Sequence, residues 1–504
     1  MRIKLNTLRY LLLLRTFTLL AGVLILASAY DILGEPPGIK QHFGIPDMGI
    51  KQYDVTSLLA EHSKSKLLLS VNDVDSVEGN FTKIASHFVL KNECKLMWNV
   101  DISESGDYTV VLSYSSIENG EISYNTTNIR KHTELLTPTS GIYTVQKEWY
   151  HFNCNRKKLE SKLTLKKGPQ EIVFSITPSP NDKNFVFKSF ELISTSAKKE
   201  SMKELERIKA DRADTKWFQS IPYGLMFHWT SESAPIKGDP KPFKEAVEEF
   251  DVVKFANMVN ETGAGYVIFT IGHAEPYCPA PLKSWEKYHP GMTTQRDLIM
   301  ELADELSKQN IKLICYLPTH VVAKYKKVNE VEFTKINSDI LLELGERYKK
   351  KIAGYWFDGW YQCFEEYPGF SFEAFFKVAK TGNSGRLIAL NSWLYPIITP
   401  WQDYWAGETF SGIIPPVSNI IKEGPGEGLP FHALLALEGD WVYARSIYKN
   451  DKEIPPPILD SSYLINLISS CKGKGPITLN VLIRQDGSIS NQSMNVLKTL
   501  RGKF

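Results

Sequence analysis

Before about residue 196, apolar and polar positions alternate with a period of two. The runs "KLMWNVDIS", "GDYTVVLSYSS", "ESKLTLKKGPQEIVFSITPS" and "NFVFKSFELIS" show it, separated by Gly and Asn/Asp turns. Successive side chains of a strand point to opposite faces, so this pattern predicts short strands each burying one face. Their spacing predicts an antiparallel, jelly-roll-like β-sandwich over 31–196. The segment "AKKESMKELERIKADRADTKWF" is polar on all sides and predicts a connecting helix over 197–216. From Ile221 onward the rhythm changes. "YGLMFHW", "GYVIFTI", "IKLICYLP" and "IAGYWFD" alternate with amphipathic helical stretches, and "RLIALNS", "DYWAGETF", "FHALLAL" and "GPITLNV" supply four more strand-like runs. Eight such runs predict a (β/α)8, TIM-like barrel over 217–504, so the fold class expected is α/β with a preceding β-sandwich.

Composition changes this picture little. The chain has 504 residues, enough for two domains, with 43% hydrophobic and 23% charged residues. A formal net charge of +2 without a basic stripe argues against nucleic acid as a partner. Aromatic residues reach 12% and include 11 Trp, which suits stacking on sugar faces. Arg2, Lys4, Arg9 and Arg15 accompany an apolar run from Phe17 to Tyr30 that ends near Ala27-Ser28-Ala29. Residues 1–29 therefore read as a secretory signal cut after Ala29, and the protein as secreted or lumenal. The alternative is an uncleaved membrane anchor. The six cysteines are widely spaced, with no CxxC. Cys94 and Cys154 form a candidate disulfide in the first domain, and Cys315 reads as a buried free thiol. No HxH, HExxH or Gly-rich phosphate loop occurs, so neither a metal nor a nucleotide cofactor is expected.

The candidate chemistry lies at strand ends. Asp358 ends the apolar strand "AGYWF", His228 ends "GLMFHW", His273 follows "YVIFTI", Asn391 ends "LIALN", and Glu408 lies in "YWAGETF". In a β/α barrel the C-terminal strand ends form the active-site rim, so polar residues gathered there are expected to act together. His432 near the start of "FHALLAL" is a further candidate.

Five ordered blocks over about 217–500 resemble glycoside hydrolase family 29, the retaining α-L-fucosidases. These are "WFQSIPYGLMFHW", "GAGYVIFTIGHAEPY", "DLIMELADELSKQNIKLICYLP", "ELGERYKKKIAGYWFDG" and "DWVYARSIYKNDKEIPPPILDSSYLINLISSCKGKGPITLNVLIRQDGSI". The N-terminal cadence is similar to carbohydrate-binding modules and to a β-domain found on some secreted fucosidases. The resemblance implies Asp358 as nucleophile and Glu408 as general acid/base, with Glu275, Glu365, Glu438 and Asp440 as rivals for the second role. It implies hydroxyl contacts from His228 and His273, pocket walls from Trp229 and Tyr277, and fucosylated glycans as partners. Trp356, Trp360 and Trp405 are candidates for an apolar wall facing the C5 methyl of fucose. Two carboxylates suffice for such a reaction, one attacking the anomeric carbon and the other transferring protons. The family's Lys-His-His-Asp is here Gly272-His273-Ala274-Glu275. That departure keeps a catalytically degenerate sugar-binding protein as the alternative, with a structural or adhesion role for the barrel as a third reading.

Overall fold

The structure, a computed structural model, describes residues 66–504. Outside the description are 72, 85–86, 117, 127–131, 137–143, 147–148, 152–154, 183–184, 274, 319–327, 361–366, 368–369, 392–398, 411–417, 422–425 and 450–451. The expected signal segment, Cys154, Ala274, Cys363 and Glu365 thus lie outside the described residues.

The N-terminal region forms two antiparallel sheets, one of seven strands and one of five. In the larger, Phe185–Ser194 pairs with Gly106–Ser115; in the smaller, Gly168–Thr177 lies between Cys94–Ile102 and Gly120–Thr126. The period-two positions read from the sequence face one shared core. There Trp98 stands edge-on to Phe190 with centroids 6.0 Å apart, and Phe174 stacks on Phe190. Cys94 is a buried free thiol whose Sγ lies 3.6 Å from the Asn80 carbonyl, which corrects the expected disulfide at that position. Cys315 is free and buried, as expected. Thr144–Gln146 and Trp149–His151 pair as a hairpin within a separate compact unit.

The C-terminal part is a curled parallel sheet of eight strands: β1 (Tyr223–Phe227), β2 (Tyr266–Thr270), β3 (Lys312–Pro318), β4 (Ile352–Asp358), β5 (Leu387–Leu390), β6 (Glu408–Phe410), β7 (Ala433–Ala436) and β8 (Ile477–Asn480). Their order is β5-β4-β3-β2-β1-β8-β7-β6. Helices between them pack their apolar faces against the outer side of the sheet. In Leu298–Lys308, Leu298, Ile299, Leu302, Ala303 and Leu306 are buried, and Asp297 caps the helix through the Met300 amide.

Alternation along each strand separates two apolar layers. Tyr355 and Phe357 of β4 join the outer core between sheet and helices, whereas Trp356 joins an inner cluster with Met226, Ile268, Ile314, Tyr316 and Ala389. The base of the inner layer is filled by Phe218 from the short helix Lys216–Ser220, packed on Tyr266, Tyr404 and His432. His432 enters at the start of β7, the end of the sheet opposite Asp358, and is fully buried. Its Nε2 meets the Thr478 hydroxyl and its Nδ1 the Ala406 carbonyl, so it is a satisfied structural residue rather than a site residue.

Among the described residues the backbone ladder expected of a full barrel does not join β5 to β6, which stand at the two ends of the sheet. Side chains of the segment before β6 meet the β5 edge instead. Asp403 Oδ2 accepts the Ile388 amide at 2.8 Å, Gln402 Oε1 accepts that of Leu390, and the Asp403 amide donates back to the Ile388 carbonyl. The other Asp403 oxygen accepts Ala213 N, at the exit of the connecting helix Thr195–Asp211, and lies 2.9 Å from the buried Lys380 ammonium. One carboxylate thus satisfies two orphan amides and a buried cation. Replacing Asp403 by Ala strands all three, and a loss of about 3–5 kcal/mol in unfolding free energy is expected from urea denaturation.

Candidate active site

Strand alternation delivers Asp358 to the inner face. Gly354, Trp356 and Asp358 share one side of β4, and Asp358 stands in register with Pro318 of β3. Gly359 then takes a φ of 84°, turning the chain away immediately after the carboxylate. The matching turn precedes Glu408. Gly407 has a φ of 65°, and a Cβ there would come within 2.1 Å of the His432 carbonyl, so only glycine fits. Both carboxylates are therefore delivered at strand ends beside left-handed glycines.

The two acids meet at one amide. Asn391, which follows β5 and is 1% exposed, donates from Nδ2 to Asp358 Oδ1 at 2.8 Å and also to Glu408 Oε2. The facing oxygens are thus separated by at most two hydrogen-bond lengths, roughly 5–6 Å. Asp358 Oδ2 also accepts the Tyr316 hydroxyl at 2.7 Å. Tyr316 lies flat on Trp356, centroids 5.5 Å apart, and Trp356 is fixed beneath by its indole N–H to the Ala406 carbonyl.

This inventory partitions charge. Among the described residues Asp358 accepts two side-chain donors and Glu408 one, so the negative charge is better solvated by the protein on Asp358. Burial, followed by the neighbouring Asp358 charge, raises the Glu408 carboxyl well above its ordinary value of 4.5, against a smaller lowering from Asn391. A proton shared by the pair therefore rests on Glu408 at neutral pH.

His228 lies on the same inner face, 5% exposed, with its ring edge-on to Tyr316 at 5.0 Å and to His273 at 5.4 Å. Burial first, then His273, hold it neutral, with a pKa lowered to about 3. His273 is half-buried beside it. The structure thus brings together Asp358, Glu408, His228, His273 and Trp356.

Other expected site residues fall elsewhere. Trp229 follows His228 by one, so it points the opposite way. It is 2% exposed, packs on Phe243 and Phe250 in the outer core, and gives its N–H to the Gln485 carbonyl. Tyr277 packs against Phe243 on the same side. Trp360 is fully buried among Phe370, Phe372 and Phe375. Trp405 joins the outer core against Phe431. Trp229, Trp360 and Trp405 correct the reading of them as pocket walls, since aromatic abundance alone does not tell the two layers apart, while Tyr277 is half-buried.

The rival acids separate equally well. Both Glu438 oxygens are occupied, by Ser493 Oγ and the Leu482 amide, and Asp440 accepts the Tyr448 hydroxyl. Glu275 is exposed and bonded to Ser231. Three members of the constellation were absent from the expected site set: Tyr316, Asn391 as the bridging donor, and the half-buried Trp441, whose ring lies 6.0 Å from His228. Tyr316 was signalled by its place two residues before the end of β3, on the inner face. Among the described residues no cluster of three His, Cys, Asp or Glu is placed to hold a metal ion.

The raised Glu408 carboxyl has a stability consequence. Between pH 4.5 and its folded pKa the native state binds a proton that the unfolded chain has released, so stability falls as pH rises through that window. Glu408→Gln removes this cost. The variant is expected to be more stable than the parent at pH 8, and the gain is expected to vanish below about pH 4, read by thermal denaturation across pH.

The family model "Alpha-L-fucosidase" matches residues 240–504, just over half of the chain. The chain is similar to the tissue alpha-L-fucosidase of Rattus norvegicus, 24% identical over 191 residues, which is 30% of this chain and 41% of the rat protein. The match therefore spans well under two thirds of that relative. Among solved structures it is similar to a GH29 alpha-L-fucosidase from Bacteroides thetaiotaomicron trapped as a covalent intermediate, at 17% identity and a TM-score of 0.42, covering 57% of this chain and 74% of that one. It is also similar to alpha-L-fucosidase isoenzyme 1 from Paenibacillus thiaminolyticus, at 18% identity and a TM-score of 0.39, with 57% and 74% covered. The family match over the parallel-sheet region makes this chain a member of the alpha-L-fucosidase family.

Proposed function

We propose that the protein is a retaining exo-α-L-fucosidase acting on terminal fucose of glycans. The observation that carries this reading is the single Asn391 amide donating to both Asp358 and Glu408. Retaining glycosidases hold their two carboxyl groups about 5–5.5 Å apart, and two hydrogen bonds through one nitrogen keep the facing oxygens within about that distance. An inverting enzyme needs room for a water between the acids, about 6.5–9.5 Å, which a shared donor does not give.

In this reading Asp358, oriented by Tyr316 and Asn391, attacks the anomeric carbon while Glu408 donates its proton to the departing oxygen. The glycosyl ester on Asp358 is then hydrolysed by a water that Glu408, now ionised, deprotonates. His228 and His273 take sugar hydroxyls. Trp356 lies under Asp358 as part of the floor, and Trp441 supplies the apolar wall that the C5 methyl requires. In this reading the parallel sheet closes as a (β/α)8 barrel, supported by the Asp403 and Gln402 contacts to β5, with the site at its C-terminal mouth. The N-terminal sandwich (66–194 as described) is an accessory module, and a secretory leader at 1–29 places the enzyme where glycans are displayed. The family membership and the intact pair of acids favour turnover over the degenerate alternative.

Three outcomes test this. An aryl α-L-fucoside is expected to be hydrolysed with the β-hydroxyl absent from the first-formed sugar, as read by NMR. Asp358→Ala is expected to lower kcat/KM by roughly 10⁴-fold or more while the fold is kept. A 2-fluoro fucosyl donor is expected to leave its mass on the peptide containing Asp358. Label on Glu408 instead, or undiminished turnover by Asp358→Ala, contradicts the assignment.

A further inference from the structure

We propose that Asn480 is a positioning residue that locks His228 in the tautomer with a proton on Nδ1 and a lone pair on Nε2, so that the site selects a sugar with a free hydroxyl at that point. This rests on the reading of the site as a fucoside pocket and names its substrate class more closely. It restricts the substrate to terminal fucose that carries no sulfate, methyl or acyl group on the hydroxyl facing His228.

The amide of Asn480 cannot be reversed without loss. One end donates to two carbonyls, Asp440 O at 3.0 Å and Trp441 O at 3.1 Å. Carbonyls only accept, so that end is the NH2 group. The other end, Oδ1, therefore faces His228 Nδ1 at 2.7 Å. An oxygen there requires a proton on Nδ1. Asn480 is fully buried at the end of β8, and its backbone carbonyl is held by Leu437 N, so the amide has nowhere else to turn.

His228 is neutral because it is buried and lies beside His273. A neutral imidazole carries one proton, so Nε2 holds a lone pair. The two ring nitrogens diverge, so Nε2 faces away from β8. Among the described residues no group hydrogen-bonds it. A lone pair accepts an O–H. It repels a sulfate oxygen and gains nothing from an ether or a fluorine. An imidazolium in the same place would donate and would prefer those groups, so the identity of residue 480 decides the polarity of the contact.

The full chain labelled with ¹⁵N-histidine tests the lock directly. The His228 signals are identified by their loss in His228→Gln. The expected result is a protonated Nδ1 and an unprotonated Nε2; a proton on Nε2 overturns the proposal. This measurement needs no variant at Asn480 and no activity, so it decides even if aryl fucosides are not hydrolysed, in which case the fucosidase reading fails and the lock stands. The second arm uses aryl fucosides fluorinated at each ring hydroxyl in turn. Leaving a buried acceptor without its donor is expected to cost the native enzyme roughly 10- to 100-fold in kcat/KM at one position. In Asn480→Asp, whose carboxylate holds His228 doubly protonated, that loss is expected to shrink to less than about threefold, because Nε2 then donates. Equal losses in the native enzyme and in a folded Asn480→Asp overturn the proposal.

Discussion

Two carboxylates held by one buried amide nitrogen form the constraint on which the site depends. Like charges a few ångströms apart at half-buried positions cannot both ionise without cost, so the protein must decide which carries the charge. It does so by counting donors. Asp358 receives Tyr316 and Asn391, whereas Glu408 receives Asn391 alone. Under the proposed function, the asymmetry suits Asp358 to the nucleophile's role and Glu408 to the acid's.

The scaffold beneath serves that asymmetry. Tyr316 reaches Asp358 because it lies on Trp356, and Trp356 is held by the Ala406 carbonyl two residues before Glu408. Both acids are therefore positioned by one stack that spans β3, β4 and the approach to β6. Among the described residues β5 meets the segment before β6 through Asp403, which also satisfies the exit of the connecting helix and Lys380.

Much of this was legible in the sequence, for a physical reason. Period-two alternation along "AGYWFDG" places Asp358 on the same face as Trp356, and the switch from period two to mixed strand and helix runs marks the parallel sheet. The same rule, carried one residue past His228, turns Trp229 outward, which the structure shows and the family likeness hid. Trp360 and Trp405 fail as walls because the outer layer between sheet and helices consumes aromatics as readily as a sugar pocket does. Asn391 as a bridge was not readable, since it depends on β5 and β6 standing together across a segment of 17 intervening positions. The pairing of Cys94 was likewise beyond sequence, because spacing says nothing about whether a thiol is buried against a carbonyl.

The central claim is that the proton shared by the two acids rests on Glu408 while Asp358 is charged. Neutron diffraction from crystals of the deuterium-exchanged protein at neutral pH reads this directly. The account predicts a deuteron on a Glu408 oxygen, none on Asp358, and both deuterons of the Asn391 amide in place with Nδ2 directed at the pair. A deuteron on Asp358, or Asn391 turned so that its oxygen faces the acids, would contradict it.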